Sequence, residues 1–166
     1  MRKLLALLLL ASAPAGAHVT IDPPEAAPGS FQRIAFRVPH GCAGQPTTAI
    51  EVTLPEGITT ARPSPKPGWE LTVRMRPLER PVSGGHGLIR EAPAFIAWSG
   101  GSLPDPFFEE FVVLIRTPAR PGETLTFPVA QLCANGARHD WVEVASEGQP
   151  RPRSPAATLR LTGTTP

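Results

Sequence analysis

The chain has 166 residues, with 16 Lys and Arg, 14 Asp and Glu, three Trp and no Tyr. That balance, with no basic stripe and no tyrosine to stack on bases, excludes nucleic acid as an expected partner. The length suits one domain with a sizeable core.

Residues 1–17 read as a secretory signal peptide. Arg2 and Lys3 precede an apolar run, and Ala15-Gly16-Ala17 supplies a small-x-small cleavage site. The run is too short for a membrane span, and no later run approaches that length. The expected product is residues 18–166, exported to a periplasm or the extracellular space without a membrane span. Arg2 and Lys3 leave with the leader, so the remaining basic residues equal the 14 acidic ones. The working protein is then formally neutral.

Cleavage after Ala17 makes His18 the first residue. Its free α-amine and its ring Nδ1 can close a chelate on one metal ion, and nitrogen donors of this kind favour Cu(II). The alternative is that a cut must precede some residue and His is there by chance.

Short stretches with apolar residues at every second position follow. They are Ile34, Phe36 and Val38; Ile50, Val52 and Leu54; Trp69, Leu71 and Val73; Leu125, Phe127 and Val129; and Leu159 with Leu161. Period two predicts half-buried strands. Residues 107–115 are apolar apart from Glu109 and Glu110 and predict a central strand. Residues 76–93 predict a long hairpin or excursion with Ser83-Gly84-Gly85 at its tip. Residues 149–155 are rich in Pro and Arg and read as a loop before the last strand. With 22 Pro and 15 Gly spread along the chain and no helical period, the prediction is an all-β sandwich in one domain.

The two cysteines, Cys42 and Cys133, pair most simply as a disulfide in an exported protein. The alternative is a pair of thiolate ligands, although no CxxC spacing is present. The four histidines are His18, His40, His86 and His139. His40 lies two residues before Cys42 and His139 six after Cys133. A bridge would therefore tie together two distant segments that each carry a histidine, as a rigid metal site requires. Against this, His40 can be a plain turn residue and His139 a solvated hairpin residue. His86, between glycines, reads as a solvated loop residue.

Other metal chemistries fit poorly. A square-planar amino-terminal site needs His at the third mature position, which is Thr20. A blue-copper site needs a free Cys and an axial Met, and structural zinc needs four spaced ligands. Glu109 and Glu110 offer paired carboxylates, but neighbours on a strand point to opposite faces. No nucleophile elbow, HExxH or phosphate loop occurs.

One ordered set of segments resembles the YcnI-like family of exported copper-binding domains. It comprises His18-Val19-Thr20-Ile21 with Pro24, Glu25 and Gly29; Arg37-Val38-Pro39-His40-Gly41-Cys42; Pro46-Thr47-Thr48-Ala49-Ile50-Glu51-Val52; Pro67-Gly68-Trp69; Trp98-Ser99-Gly100-Gly101; Glu109-Glu110-Phe111; and Gln131-Leu132-Cys133-Ala134-Asn135-Gly136 leading to Trp141. The resemblance implies a cupredoxin-like or immunoglobulin-like β-sandwich. It also implies Cu(II) held by the amine and ring of His18 and by a side chain of the loop at residues 38–42, with Trp141 near the metal. The family pattern has a Glu in that loop, whereas here the available side chain is His40. The expected site is then a two-histidine brace, with Glu25 or Glu51 as alternative second ligands and His139 as a further candidate. The implied role is a copper carrier, with copper and an envelope chaperone or transporter as partners. The rival readings are a histidine-brace oxidative enzyme and a metal-free structural sandwich.

Overall fold

The computed structural model describes residues 18–42, 44–85, 87–146 and 148–163. The leader and His86 lie outside them. Twelve strands form among the described residues: β1 (Thr20–Asp22), β2 (Glu25–Ala26), β3 (Phe31–Val38), β4 (Thr47–Thr53), β5 (Ala61–Pro63), β6 (Glu70–Gly84), β7 (Gly87–Leu103), β8 (Glu109–Arg116), β9 (Thr124–Phe127), β10 (Val129–Cys133), β11 (Arg138–Trp141) and β12 (Ala157–Leu161). They build a four-stranded sheet in the order β1-β3-β8-β5, a five-stranded sheet in the order β11-β10-β4-β7-β6, and a small sheet in the order β2-β12-β9. The fold is a single all-β sandwich. No helix among the described residues is long and apolar enough to cross a membrane.

The period-two pattern places the core. Ile34, Phe36 and Val38 of β3 and Ile50 and Val52 of β4 are fully buried. They meet Ile96 and Trp98 of β7, Phe111, Val113 and Ile115 of β8, and Leu159 and Leu161 of β12 in one cluster. Each such side chain contributes about 1.5–3 kcal/mol by leaving water. Trp98 is buried whole because its indole N–H donates to the Ser64 carbonyl at 3.1 Å, which spares it an unpaired polar atom.

Three expectations change in detail. Phe107 and Phe108 are exposed in the turn before β8 and do not extend it. Within β8 only Phe111, Val113 and Ile115 are buried, while Leu114 stands exposed, so this strand alternates although it lies inside its sheet. Leu125, Phe127 and Val129 are all buried, but they do not share a strand. Pro128 cannot donate to a ladder, and there the chain passes from the small sheet to the five-stranded one. Finally, β6 is an edge strand, and Val73 is exposed where half-burial was expected.

The long hairpin is present as β6 and β7, paired from Glu70↔Ser99 to Gly84↔Gly87. At its base Gly101 lies under the Trp69 indole so closely that a Cβ would collide with the ring. The Trp-Ser-Gly-Gly segment is therefore a packing motif. Its second glycine gives Trp69 room to meet Phe111 edge-to-face at 5.0 Å.

Candidate metal centre

Two edge strands of different sheets converge at one end of the sandwich. Strand β1 pairs only with β3, through Asp22↔Ala35, Ile21↔Phe36 and Thr20↔Arg37. Val19, just before this strand, is buried, and His18 precedes it. Strand β11 pairs only with β10, through Val129↔Trp141 and Gln131↔His139. Its alternation sends Arg138 and Asp140 outward and His139 and Trp141 the other way. Trp141 is buried in the core cluster, whereas His139 is exposed.

These placements bring three predicted residues together. The His18 ring meets the Trp141 ring edge-on, with centroids 5.8 Å apart. The His139 ring meets the same indole at 5.7 Å, also edge-on. On its other side His18 borders an open groove lined by Thr20, Pro24, Pro155 and Thr158. The His18 ring thus rests against the Trp141 ring while the residue also borders an open groove.

Cys42 and Cys133 are bonded, with Cα atoms 5.8 Å apart across 91 positions of sequence. The bond fastens the β3–β4 loop, which carries His40, to the end of β10. Other links fix that loop. Cys42 N–H donates to the Gln45 carbonyl at 2.7 Å, Gln45 N–H returns a bond at 3.0 Å, and Gly41 N–H donates to Asp105 at 3.3 Å. Gly41 sits so tightly against Gln45 and Asp105 that a side chain there would force the loop to shift. Nδ1 of His40 lies within hydrogen-bonding distance of the Gly41 carbonyl. A carbonyl can only accept, so Nδ1 carries the hydrogen and the lone pair of a neutral ring resides on Nε2.

The residue that joins loop and indole is Gln131, which sequence reasoning did not single out. It is 2% exposed. Its Nε2 donates to the Thr47 hydroxyl at 2.7 Å and to the His40 carbonyl at 3.0 Å. Its Oε1 accepts the Trp141 indole N–H at 3.2 Å. The Thr47 hydroxyl lies 3.7 Å from the Cys42 sulfur. A continuous polar path therefore runs from the disulfide through Thr47 and Gln131 to the indole that touches His18. The one available signal was Gln131's place two residues before Cys133, hence on the same strand face.

The carboxylate candidates lie elsewhere in the hydrogen-bonding scheme. Glu51 is 3.2 Å from the Arg138 guanidinium, which also binds Asp140 at 2.7 Å. The Asp140 hydrogen bond, opposed by burial and aided by the charges of Asp140 and Glu51, raises the Arg138 pKa above its ordinary value. Glu25 is exposed and lies 3.6 Å from Arg160. Glu110 pairs with Arg37 at 2.9 Å and Glu109 with Lys66 at 2.8 Å. Burial pushes the Glu109 carboxyl up. Hydrogen bonds from Lys66 and from the Glu110 N–H, with the Lys66 charge, outweigh it and hold the carboxyl below its usual range.

Among the described residues no group of three or more His, Cys, Asp or Glu side chains is arranged around a metal position. A brace differs from such a cluster, because one of its donors is a backbone amine created by cleavage. The donor chemistry at this end fits copper on that count. His18 can offer amine and imidazole from one residue, His40 has its Nε2 lone pair uncommitted to the Gly41 carbonyl, and the disulfide leaves no thiolate to compete.

The sequence pattern of the family described as "Domain of unknown function (DUF1775)" matches residues 18–161. Copper-binding protein CutI of Bacillus subtilis (strain 168) is 25% identical over 136 residues, covering 81% of this chain and 59% of that protein. The chain thus spans about three-fifths of the length of that relative. Among solved structures, an uncharacterized protein from Nocardia farcinica with an immunoglobulin-like fold is 32% identical. It covers 88% of this chain and 99% of that one, with a TM-score of 0.68.

Proposed function

This chain belongs to the DUF1775 family of YcnI-like domains, and on that premise we propose that it is an exported Cu(II)-binding protein acting in copper trafficking or homeostasis. Residues 1–17 are removed as a signal peptide, which frees the His18 amine in the periplasm or outside the cell. The amine and Nδ1 of His18 chelate the metal, and His40 offers Nε2 as the second protein ligand. Trp141 forms the wall beside the metal. Bound copper supplies redox-active charge, and the chain's own residues hold, orient and shield it.

The observation that carries this reading is the contact of the His18 ring with Trp141, because it fixes the predicted first residue against a core-anchored indole. The copper-binding relative CutI supports the choice of metal. The Nδ1 contact of His40 supports its role, since metal-bound histidines ordinarily donate their other ring N–H to a carbonyl or carboxylate. Carriage is preferred to catalysis because the named relative is a binding protein and the fold is immunoglobulin-like. The delivery partner is another copper chaperone or transporter of the envelope.

The test compares two proteins, one beginning at His18 and one retaining Ala17. An amide in place of the amine removes one donor and opens the chelate. The Ala17-extended protein is expected to bind Cu(II) weaker by a factor of ten or more, on the order of the loss of one nitrogen donor. Equal affinity contradicts the brace. Oxygen consumption with reductant and glycan, if copper-dependent and catalytic, contradicts the carrier role.

A further inference from the structure

Gln131 shares a buried interior with apolar neighbours, and a buried primary amide is costly unless it is fully paired. It is paired with partners drawn from three segments, the Gly41 carbonyl at 3.4 Å adding to that of His40. His40 lies 91 positions before it, Thr47 84 before and Trp141 10 after. Only an amide can serve all three, because its NH2 group must donate to a carbonyl and a hydroxyl while its oxygen accepts an indole N–H. Glutamate lacks the donors and leucine lacks both functions. Its backbone pairs Ile50 on one side and His139 on the other, so the side chain starts from a strand fixed at both edges.

We infer that Gln131 is the positioning residue of the copper site: it holds the Trp141 indole and the His40 loop in one frame. The inference rests on the proposed copper-binding function and names a residue which that reading does not use. Gln131 is not one of the proposed ligands. It acts by setting the tilt of the indole that His18 meets, and by holding the backbone of His40 against the interior strand β10. The disulfide holds the same loop covalently, but a covalent tether fixes only where the loop lies. The amide also links the loop to the indole, so that movement of either is felt by the other. Thr47, fully buried between the disulfide and Gln131, aligns the amide.

The test uses the protein beginning at His18 and Cu(II) as the probe. Gln131→Met keeps the side-chain length and removes every side-chain hydrogen bond of Gln131. The variant is expected to bind Cu(II) about tenfold more weakly, the lower end of the range for lost outer-shell partners. It should also lose most of the copper-induced quenching of Trp141 fluorescence. In a Trp141→Phe background, where the indole bond is already absent, the same substitution should cost less than about threefold. A residue that merely stabilised the fold would cost the same in both backgrounds, and that result overturns the inference. Unchanged affinity and quenching in Gln131→Met also overturn it. Should Gln131→Met fail to fold, Thr47→Val carries the test, because it removes one hydroxyl acceptor and leaves Gln131 and Trp141 in place. A loss of about threefold or more supports the inference, and wild-type affinity overturns it. The two readings fail separately. Equal copper binding with and without Ala17 refutes the brace, whereas an amine-dependent site indifferent to Gln131 refutes only the positioning role.

Discussion

At the scale of single residues, one histidine is worth more than its side chain. His18 gains a second nitrogen only from the position of a cleavage, and its ring is held by Trp141 at 5.8 Å. In the proposed site His40 would contribute a single nitrogen, and its loop is fixed by its neighbours. His40→Ala should therefore leave the His18 chelate in place and remove one nitrogen from the Cu(II) donor set. The EPR spectrum should shift toward fewer nitrogen and more oxygen donors. An unchanged spectrum, with a change in Glu25→Ala or Glu51→Ala instead, contradicts the two-histidine reading. The arginine partners of both glutamates argue against that outcome. His18, Trp141 and Cys133 were legible as residues because each carries unusual chemistry. Gln131 was not, because an amide has no characteristic spacing and its partners are brought together only by folding. Glu109 and Glu110 show the converse. Their adjacency invites a catalytic reading, yet each carboxylate faces its own cation, Lys66 or Arg37.

At the scale of elements, the site depends on a loop and two edge strands. The loop between β3 and β4 is held by the Cys42–Cys133 bond. Cys42→Ser should destabilise the domain by about 2–5 kcal/mol, the usual cost of losing a bridge in a small secreted domain. It should also weaken copper binding, because the His40 loop loses its covalent tether. Urea denaturation and Cu(II) titration of the variant measure both effects, and wild-type values in both contradict the role given to the bridge. Strand β8 has its own pH signature. The folded Glu109 carboxyl titrates below its usual range, so its contribution is complete above the unfolded pKa and is lost as pH falls through the folded one. Lys66→Met removes the cation that faces Glu109 and should flatten the loss of stability as pH falls below the ordinary Glu value of about 4.3. Denaturation midpoints across that range are the check, and identical slopes in both proteins contradict the pairing. Period two found these strands because burial on one face dictates it. It misplaced the boundaries at Phe107, Phe108 and Pro128, where a proline or turn ends a ladder without interrupting the apolar pattern.

At the scale of the whole molecule, the sandwich acts as a frame that brings distant segments to one end. His18 stands just before β1, the His40 loop follows the end of β3, and Trp141 ends β11. The core beneath them is continuous, and Val19, Val38, Val129 and Trp141 all belong to it. The all-β class and the single domain were legible from periodicity and turn residues, but the meeting of the His18 and Trp141 rings from two different sheets was not. Edge strands carry weak sequence signals, and the juxtaposition comes from long-range topology.

The proposed copper brace requires that His18 become the N-terminus. The most direct measurement is the intact mass of the protein recovered from the compartment to which its host exports it. The expected mass is that of a chain beginning at His18 with the Cys42–Cys133 bond closed. A mature chain that retains Ala17, or that begins beyond His18, has no amine on this histidine and contradicts the copper brace at its root.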